Sequence, residues 1–206
     1  MCYITHNTKM KKGQIILFIG PTCTGKTVLI EALRRGHFRD SGVIISLTTR
    51  VKRPWEKDGV DYFFVSEKEF LRGKDNGEYY EWVKRPDGVY YASSQKQVHE
   101  LLRKHPFVFG ALDIEGSHRV KELEQDAVAI FLYPDNMGDL EKRLRVRGDL
   151  SEEKIRIRLE TAKEEMLSVN DFDASLENVD GKFPETVRRA LELLRARGVV
   201  PAKVDN

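Results

Sequence analysis

Several features are scarce in this sequence, and each absence excludes a class of protein. The two cysteines, Cys2 and Cys23, stand far apart in a chain of 206 residues, so the disulfide framework of a small secreted protein is not expected. No apolar run approaches the roughly 20 residues that a membrane-spanning helix needs. Residues 1–12 also lack the continuous apolar stretch of a secretory signal. Together these absences predict a cytoplasmic protein with no membrane partner.

Excess charge of one sign is missing too. The sequence has 35 Lys and Arg against 33 Asp and Glu, which gives a formal net charge of only +2. A nucleic-acid partner is therefore not expected, because such partners call for a strongly basic surface. Any site for an anion must be a local cluster of cations. The length is sufficient for one domain with a good core, or for a core that carries small inserted subdomains.

A phosphate-binding pattern stands near the amino terminus. An apolar stretch typical of a buried strand, residues 15–19, precedes it, and apolar residues at helical spacing follow as far as Gly36. The pattern itself has the spacing G-x-x-x-x-G-K-T and consists of Gly20, Pro21, Thr22, Cys23, Thr24, Gly25, Lys26 and Thr27. Its glycines let backbone N–H groups point at a phosphate, its lysine reaches the terminal phosphates, and its last threonine can bind magnesium. The alternative, a glycine turn with an incidental lysine, leaves the flanking strand and helix unexplained. The pattern therefore predicts a site for a nucleoside triphosphate.

Strand-like and helix-like segments alternate along the rest of the chain. Apolar runs at 43–45, 107–112 and 128–132 predict strands, and helical patterns follow Ser94 and cover 139–166 and 184–197. This order predicts an α/β protein, with a mostly parallel sheet and helices on both faces. Ligands of such sheets bind at the carboxyl ends of the strands, where Gly20, Ser46 and Asp113 fall. An acid in the position of Asp113 is a usual magnesium partner in phosphate-loop proteins.

The composition changes after residue 50, where arginine, lysine, tyrosine and glutamate become frequent. Short strand-like pieces stand at 62–65, 81–83 and 89–91, and Ser66 with Glu69 has the spacing of a helix capping box. Ser94 with Gln97 has the same spacing and predicts a second helix start. This part of the chain is predicted to be a small inserted α+β subdomain.

These residues together resemble the guanylate kinase family, from about residue 13 to 197. The most specific segments are 46–54 and 58–65, and further similar pieces follow in the family's order at 81–82, 90–93, 112–115, 147–153 and 157–159. The resemblance implies a P-loop NTPase-type fold with a flexible tail at 1–12, a core of 13–45, 105–140 and 170–206, a GMP-binding subdomain at 46–104 and a lid at 141–169. It also implies transfer of the γ-phosphoryl group of ATP to GMP with magnesium, by a monomer or homodimer.

The resemblance assigns roles residue by residue. The substrate-binding set is Ser46, Arg50, Arg53, Tyr62, Glu81, Tyr91, Ser93, Asp113 and Glu115. Two guanidinium groups, each with paired N–H donors, suit a monophosphate. A carboxylate only accepts hydrogen bonds, so it suits the N1–H and amino donors of guanine. The catalytic set is Lys26, Arg147 and Arg158, with Arg143 a weaker candidate, and the magnesium set is Thr27 and Asp113. Taken singly, such arginines are also typical of a solvated helix face paired with Glu152, Glu153 and Glu160.

Three departures from the family pattern leave other interpretations open. Ala92 replaces a glycine, the segment from Asp113 to Gly116 is shorter and carries Glu115 in place of an aspartate, and Cys23 is unusual in the phosphate loop. A kinase of another nucleotide or of a ribose phosphate is one alternative. A non-catalytic guanylate-kinase-like module that binds phosphopeptides is the other. The intact Lys26 and Thr27 argue against the module, because a peptide binder does not need them.

Overall fold

The computed structural model describes residues 13–148 and 150–201. The predicted tail at 1–12, with Cys2, lies outside the described residues, as do Asp149 and residues 202–206. The strands are β1 (Gln14–Ile19), β2 (Ser41–Val43), β3 (Leu47–Thr48), β4 (Phe63–Phe64), β5 (Tyr79–Lys84), β6 (Tyr90–Ser94), β7 (Phe107–Ala111), β8 (Val128–Pro134) and β9 (Ala174–Asn178). The helices are α1 (Lys26–Gly36), α2 (Glu67–Asp75), α3 (Gln95–Lys104), α4 (Ile114–Leu123), α5 (Met137–Arg147), α6 (Glu152–Glu165) and α7 (Phe183–Ala196), with a 3-10 turn at Met166–Ser168.

Five strands form a parallel sheet in the order β2-β7-β1-β8-β9. Its central strand β1 is apolar on both faces because Ile16 and Phe18 pack into one buried cluster and Leu17 and Ile19 into another. Helices α1 and α7 contribute to the first cluster, and α3 and α4 contribute to the second. A strand with two apolar faces needs cover on both. The predicted α/β architecture is confirmed.

A second sheet of four strands, in the order β4-β3-β6-β5, comes from the segment with the altered composition. The capping box predicted at α2 is confirmed, since the Glu69 amide donates to Ser66 Oγ and Glu69 Oε2 accepts from the Ser66 amide at 2.9 Å. The capping box predicted at α3 is half wrong. Ser94 Oγ does accept from the Gln97 amide, but the Gln97 side chain accepts from the Ile45 amide at 2.9 Å. Gln97 therefore joins α3 to the residues after β2 and does not close the cap.

Helices α5 and α6 share a small core of their own, formed by Leu140, Leu144, Ile155 and Ala162. Cys23 of the phosphate loop packs against this core. The two helices correspond to the helical pattern predicted over 139–166, and the break between them falls at Gly148, which has a left-handed φ of 70°. The helix pair is thus one packed unit that touches the phosphate loop.

The sequence did not predict α4 or β9. Strand β9 is a short polar-apolar mixture, and α4 contains only Val120 as a buried aliphatic residue. The apolar run at 43–45 continues past the strand, because β2 ends at Val43. Within the described part of the chain, every helix is too short or too polar to cross a bilayer.

Ala92 gives a prediction about stability. Its methyl group is fully buried with Phe70 and Tyr90 on the face of β6 that points away from Ser93, and its φ is not positive. We expect Ala92→Gly to lower the free energy of unfolding by about 1–2 kcal/mol through lost burial and added chain entropy. Urea unfolding would measure this change. A large change in GMP affinity with unchanged stability would contradict the placement of the methyl group.

Candidate functional site: a phosphate loop facing an anion pocket

The phosphate loop joins β1 to α1 through three residues with left-handed φ. These are Gly20 at 120°, Cys23 at 63° and Gly25 at 96°. A Cβ atom at Gly20 would stand 2.2 Å from the Leu132 carbonyl oxygen, so only glycine fits against β8. Cys23 is the one described residue other than glycine with a positive φ, a conformation that costs a side chain some strain. This backbone turns the loop toward the carboxyl edge of the parallel sheet.

Asn178, at the end of β9, holds the phosphate loop through a side-chain hydrogen bond. Its amide Nδ2 donates to the Thr24 carbonyl oxygen at 2.8 Å, and its Oδ1 accepts from Thr186 Oγ1 at 3.0 Å. Thr24 is fully buried and its hydroxyl donates to the Pro21 carbonyl oxygen at 2.8 Å. Sequence reasoning missed Asn178, because its strand is short and its partners come from distant segments. Buried polar groups that are all paired in this way hold a single loop conformation.

Lys26 folds back onto the loop. Its Nζ donates to the carbonyl oxygens of Gly20 at 2.6 Å and Pro21 at 2.7 Å. Burial lowers the pKa of Lys26 to about 8, although the nearby Glu165 carboxylate opposes this shift. Two neutral carbonyl groups satisfy the ammonium only in part, and phosphate oxygens are stronger acceptors for a cation. A phosphate role for Lys26 remains a prediction, and the carbonyl contacts are compatible with it.

One cleft of about 720 Å³ separates the loop from the four-stranded sheet. It collects most of the predicted site residues, namely Thr22, Cys23, Gly25, Lys26, Thr27, Ser46, Arg50, Arg53, Tyr62, Glu81, Tyr91, Asp113, Arg147 and Arg158. Other predicted residues do not line it, namely Gly20, Pro21, Thr24, Ser93 and Glu115. Gly20, Pro21 and Thr24 shape the loop, and Ser93 lies behind Glu81. The exposed Glu115 lies on the first turn of α4, and its role remains a prediction.

Arg50 and Arg53 point their guanidinium groups at the same carboxylate, that of Glu56. Arg50 donates to both Glu56 oxygens at 3.0 and 2.7 Å, and Arg53 donates to Glu56 Oε1 at 2.8 Å. Burial would raise the pKa of Glu56, but the hydrogen bonds from Arg50 and Arg53 outweigh it and hold the pKa at about 2. Sequence reasoning missed Glu56, which was detectable as an acid within a basic segment. Glu56 keeps the two arginines side by side, in the orientation that a phosphate group requires.

Two tyrosines form the wall next to these arginines. The Arg50 guanidinium lies 5.3 Å from the centre of the Tyr62 ring, and the Tyr62 and Tyr91 rings are 6.0 Å apart. Burial raises the pKa of Tyr62, so its hydroxyl keeps its proton. A neutral phenol can donate a hydrogen bond to an anion without adding repulsion. The wall therefore complements the charge of the arginine pair.

Glu81, on β5, also lines the cleft. It is 5% exposed, and Ser93 Oγ donates to its Oε1 at 2.6 Å. Burial raises the pKa of Glu81 to about 7, against the lowering effect of the Ser93 hydrogen bond, and the Asp113 and Glu115 carboxylates raise it further. A Cβ atom at Gly116 would stand 2.6 Å from Glu81 Oε2, which explains glycine there. The remaining lone pairs of Glu81 suit a ligand edge with neighbouring N–H donors.

Asp113 and Thr27 both line the cleft. Asp113 caps α4, since its Oδ1 accepts from the Gly116 amide at 2.9 Å. No group of three or more His, Cys, Asp or Glu side chains is present within residues 13–148 and 150–201 that could bind a metal alone. One carboxylate and one hydroxyl still fit magnesium, which takes its other ligands from phosphates and water.

The predicted lid arginines contact the edges of the cleft. Arg147 Nη1 donates to Cys23 Sγ at 3.2 Å, Arg158 Nη2 donates to Asp87 Oδ2 at 3.2 Å, and Arg143 Nε donates to Asp180 Oδ1 at 3.0 Å. Arg145 instead forms exposed ion pairs with Glu141 at 2.8 Å and with Glu152, and the pair with Glu152 is one that the surface interpretation predicts. The structure thus separates the arginines of the cleft from those of the solvated face.

A phosphate loop on a parallel sheet, facing a second anion pocket across one cleft, defines a P-loop kinase fold. The family model described as "Guanylate kinase" matches residues 12–196. Curated guanylate kinases are similar: one from Idiomarina loihiensis is 40% identical, with 82% of this chain and 80% of that protein covered. One from Thermotoga maritima is 37% identical, with 90% and 87% covered. The crystal structure of guanylate kinase from Anaplasma phagocytophilum superposes with a TM-score of 0.70 at 27% identity, covering 90% of this chain and 86% of that one. This chain belongs to the guanylate kinase family.

Glu56 gives a prediction about pH. Its pKa is lowered in the folded protein from 4.5 to about 2, so its contribution to stability is present above about pH 4.5 and is lost as the pH falls toward 2. We expect Glu56→Gln to lower the free energy of unfolding by about 1–3 kcal/mol at neutral pH. The difference from wild type should shrink as the pH falls below about 4.5. Urea unfolding across this range tests it, with the exposed Glu164→Gln as the matched control. A difference that stays constant with pH would contradict the ion-pair account.

Proposed function

We propose that this protein transfers the γ-phosphoryl group of ATP to GMP, giving ADP and GDP. The observation that carries the proposal is the arrangement across one cleft of the Lys26 loop on one side and the Arg50, Arg53 and Glu81 pocket on the other. In the proposal, ATP binds the loop at residues 20–27, and the GMP phosphate binds Arg50, Arg53, Tyr62 and Tyr91. A cytoplasmic location and a monomeric or homodimeric state remain predictions.

Glu81 is proposed to select guanine. Its carboxylate would accept hydrogen bonds from N1–H and the exocyclic amine, with Ser93 holding one oxygen and Ser46 completing the pocket wall. Adenine has an acceptor at N1, so its lone pair would face the lone pairs of the carboxylate. Buried acceptors left without donors cost binding free energy, which is the basis of discrimination.

Catalysis is proposed to come from alignment and charge neutralisation. The acceptor oxygen of GMP is already anionic, so no general base is needed. Lys26, Arg147 and Arg158 would neutralise the charge that the two nucleotides share during transfer. We infer a lid at 141–169, a GMP-binding subdomain at 46–104 and a core of 13–45, 105–140 and 170–206. The separate packing of α5 against α6 supports a lid that moves as a unit and excludes water.

Magnesium is the proposed metal, with the Thr27 hydroxyl as one ligand and Asp113 as a partner through water. When bound with ATP, it would supply positive charge to the β- and γ-phosphates. Asp113 Oδ1 is used by the α4 cap, which leaves the other oxygen for this role. Asp113 is also proposed to line the substrate pocket, and Glu115 to reach it from the neighbouring helical turn.

The decisive experiment is a coupled assay of ADP release with ATP, magnesium and a panel of acceptors. We expect GMP to be used far better than AMP, UMP or ribose phosphates. Equal use of these acceptors would contradict the assignment of guanine to Glu81. No ADP release with GMP would favour a non-catalytic binding module.

Lys26→Ala tests the loop within the same assay. We expect kcat to fall by about 10³-fold, because the variant loses a cation at the transferred phosphoryl group. The fold should persist, since Lys26 hydrogen-bonds only to loop carbonyls in the described structure. The exposed Lys104→Ala serves as the matched control and should keep wild-type activity. Normal turnover of Lys26→Ala would contradict the role of the loop.

GMP binding should depend on pH through Glu81. Its pKa in the free protein is about 7, and only the ionised carboxylate accepts both guanine donors. GMP affinity should therefore fall as the pH drops below about 7, approaching tenfold per pH unit. Calorimetric titration measures this, with Glu81→Gln as the control for ionisation of the GMP phosphate. The variant should bind GMP weakly, bind ATP normally and lack the additional pH dependence. A wild-type pH profile equal to that of the variant would refute the role of Glu81.

A further inference from the structure

Arg85 is a cation of the cleft that neither the sequence patterns nor the proposed mechanism uses. It follows β5 directly, at the start of the tight connection to β6, where its amide donates to the Val89 carbonyl oxygen at 2.9 Å. Side chains alternate between the faces of a strand, so Arg85 shares a face with Glu81 and Val83. All three line the cleft, whereas Trp82 and Lys84 on the other face are exposed. The alternation of side chains along β5 therefore places Arg85 in the same cleft as Glu81.

Among residues 13–148 and 150–201, no carboxylate forms a hydrogen bond or ion pair with the Arg85 guanidinium. The guanidinium stacks on the Tyr91 ring, with its central carbon 4.8 Å from the ring centre. No hydrogen bond or ion pair of its side chain is present in the part of the chain that the structure describes. Arg50 and Arg158 differ in this respect, because Glu56 and Asp87 respectively pair with them. A half-buried guanidinium that faces a cleft, and that no carboxylate among the described residues holds by a hydrogen bond, is placed to bind an anion.

The residues around Arg85 come from both the phosphate-loop side and the acceptor-pocket side of the cleft. Burial lowers the pKa of the Arg85 guanidinium, but Tyr91, Asp113, Glu165 and Tyr62 together raise it above its ordinary value. Arg85 in turn acts on Lys26 of the phosphate loop and on Arg158 of α6. It also lines a small cavity next to the main cleft, together with Thr22 of the loop. Arg85 therefore lies within electrostatic reach of the loop on one side and contacts Tyr91 of the acceptor pocket on the other.

We propose that Arg85 is an additional catalytic arginine that contacts the acceptor phosphate and the transferred phosphoryl group where the two nucleotides meet. The inference rests on the proposed function. In the transfer, an oxygen of the acceptor phosphate forms a bond to the γ-phosphorus, and the bond from that phosphorus to the β–γ bridging oxygen breaks. The electron pair of the broken bond remains on the β-phosphate of ADP, and Arg85 keeps all of its protons. Its fork can donate to one oxygen of each phosphate, and the stacking on Tyr91 limits its rotamers before substrate binds.

This placement predicts an effect on kcat more than on KM. The two phosphates repel each other most as they approach, so a cation between them stabilises the transition state more than either substrate complex. We expect Arg85→Met to lower kcat by about 100-fold, with smaller changes in KM for ATP and GMP. Arg85→Lys should recover part of the loss, because it restores the charge but not the fork. Lys84→Met, on the opposite face of the same strand, should behave as wild type.

A binding measurement separates this role from a structural one. Adenosine and guanosine joined through five phosphates carry both phosphate chains in one molecule. Arg85→Met should weaken binding of this compound much more than binding of GMP or ATP alone, with an unchanged midpoint of thermal unfolding. Unchanged kcat, a change in KM alone, or a loss of activity that parallels a lower unfolding midpoint would overturn the proposal. If wild-type protein released no ADP with GMP, the proposed function itself would fail. Unaltered Arg85→Met activity beside an active wild type would reject only the role of Arg85.

Discussion

The geometry of the phosphate loop depends on how closely the backbone of the Gly20 segment can approach β8. The carbonyl oxygen of Leu132 occupies the space of a Cβ atom at Gly20, and the Asn178 side chain occupies it at Gly25. The loop therefore turns with positive φ at Gly20, Cys23 and Gly25. Because β9 and α7 supply Asn178 and Thr186, distant parts of the chain must be folded before the loop has its final shape. The conformation of the phosphate loop therefore depends on contacts with several distant parts of the core.

The second sheet imposes a different constraint, the alternation of side chains along β5 and β6. Glu81 and Ser93 meet on the pocket side, and Ala92 points to the opposite side, where it packs with Phe70. This explains why the alanine is compatible with the pocket despite the departure from the family pattern. A backbone with negative φ has no need of glycine at this position.

Much of this arrangement could be predicted from the sequence, and the reasons are local. The strand, loop and helix around Lys26 follow from glycine spacing and apolar periodicity, and the start of α2 follows from Ser66 and Glu69. Glu56, Asn178 and Arg85 were missed because their importance comes from tertiary contacts. Glu56 matters through two arginines, and Asn178 through a loop at the far end of the chain. Arg85 lies two residues after Val83 and four residues after Glu81, so the alternation along β5 assigns it to the same face as both. This assignment indicates a place in the cleft only once it is known that this face of β5 lines the cleft. Helix α4 lacked a periodic apolar stripe, so its capping residue Asp113 was interpreted for chemistry alone.

Most of the cations that line the cleft have partners within the protein, and these partners stabilise them. Lys26 rests on loop carbonyls, Arg50 and Arg53 share Glu56, and Arg158 pairs with Asp87. Each of these partners satisfies the cation at lower cost than an unpaired buried charge would impose. A phosphate group carries more charge and more acceptor oxygens than a carbonyl, so in the proposed function substrate binding would exchange a weaker partner for a stronger one at Lys26. Arg85 has no hydrogen-bonded partner of this kind in the part of the chain that the structure describes, and its guanidinium stacks on the face of Tyr91. The groups with internal partners are held in place within the cleft, and Arg85 is the cation that we propose to lie where the two substrates meet.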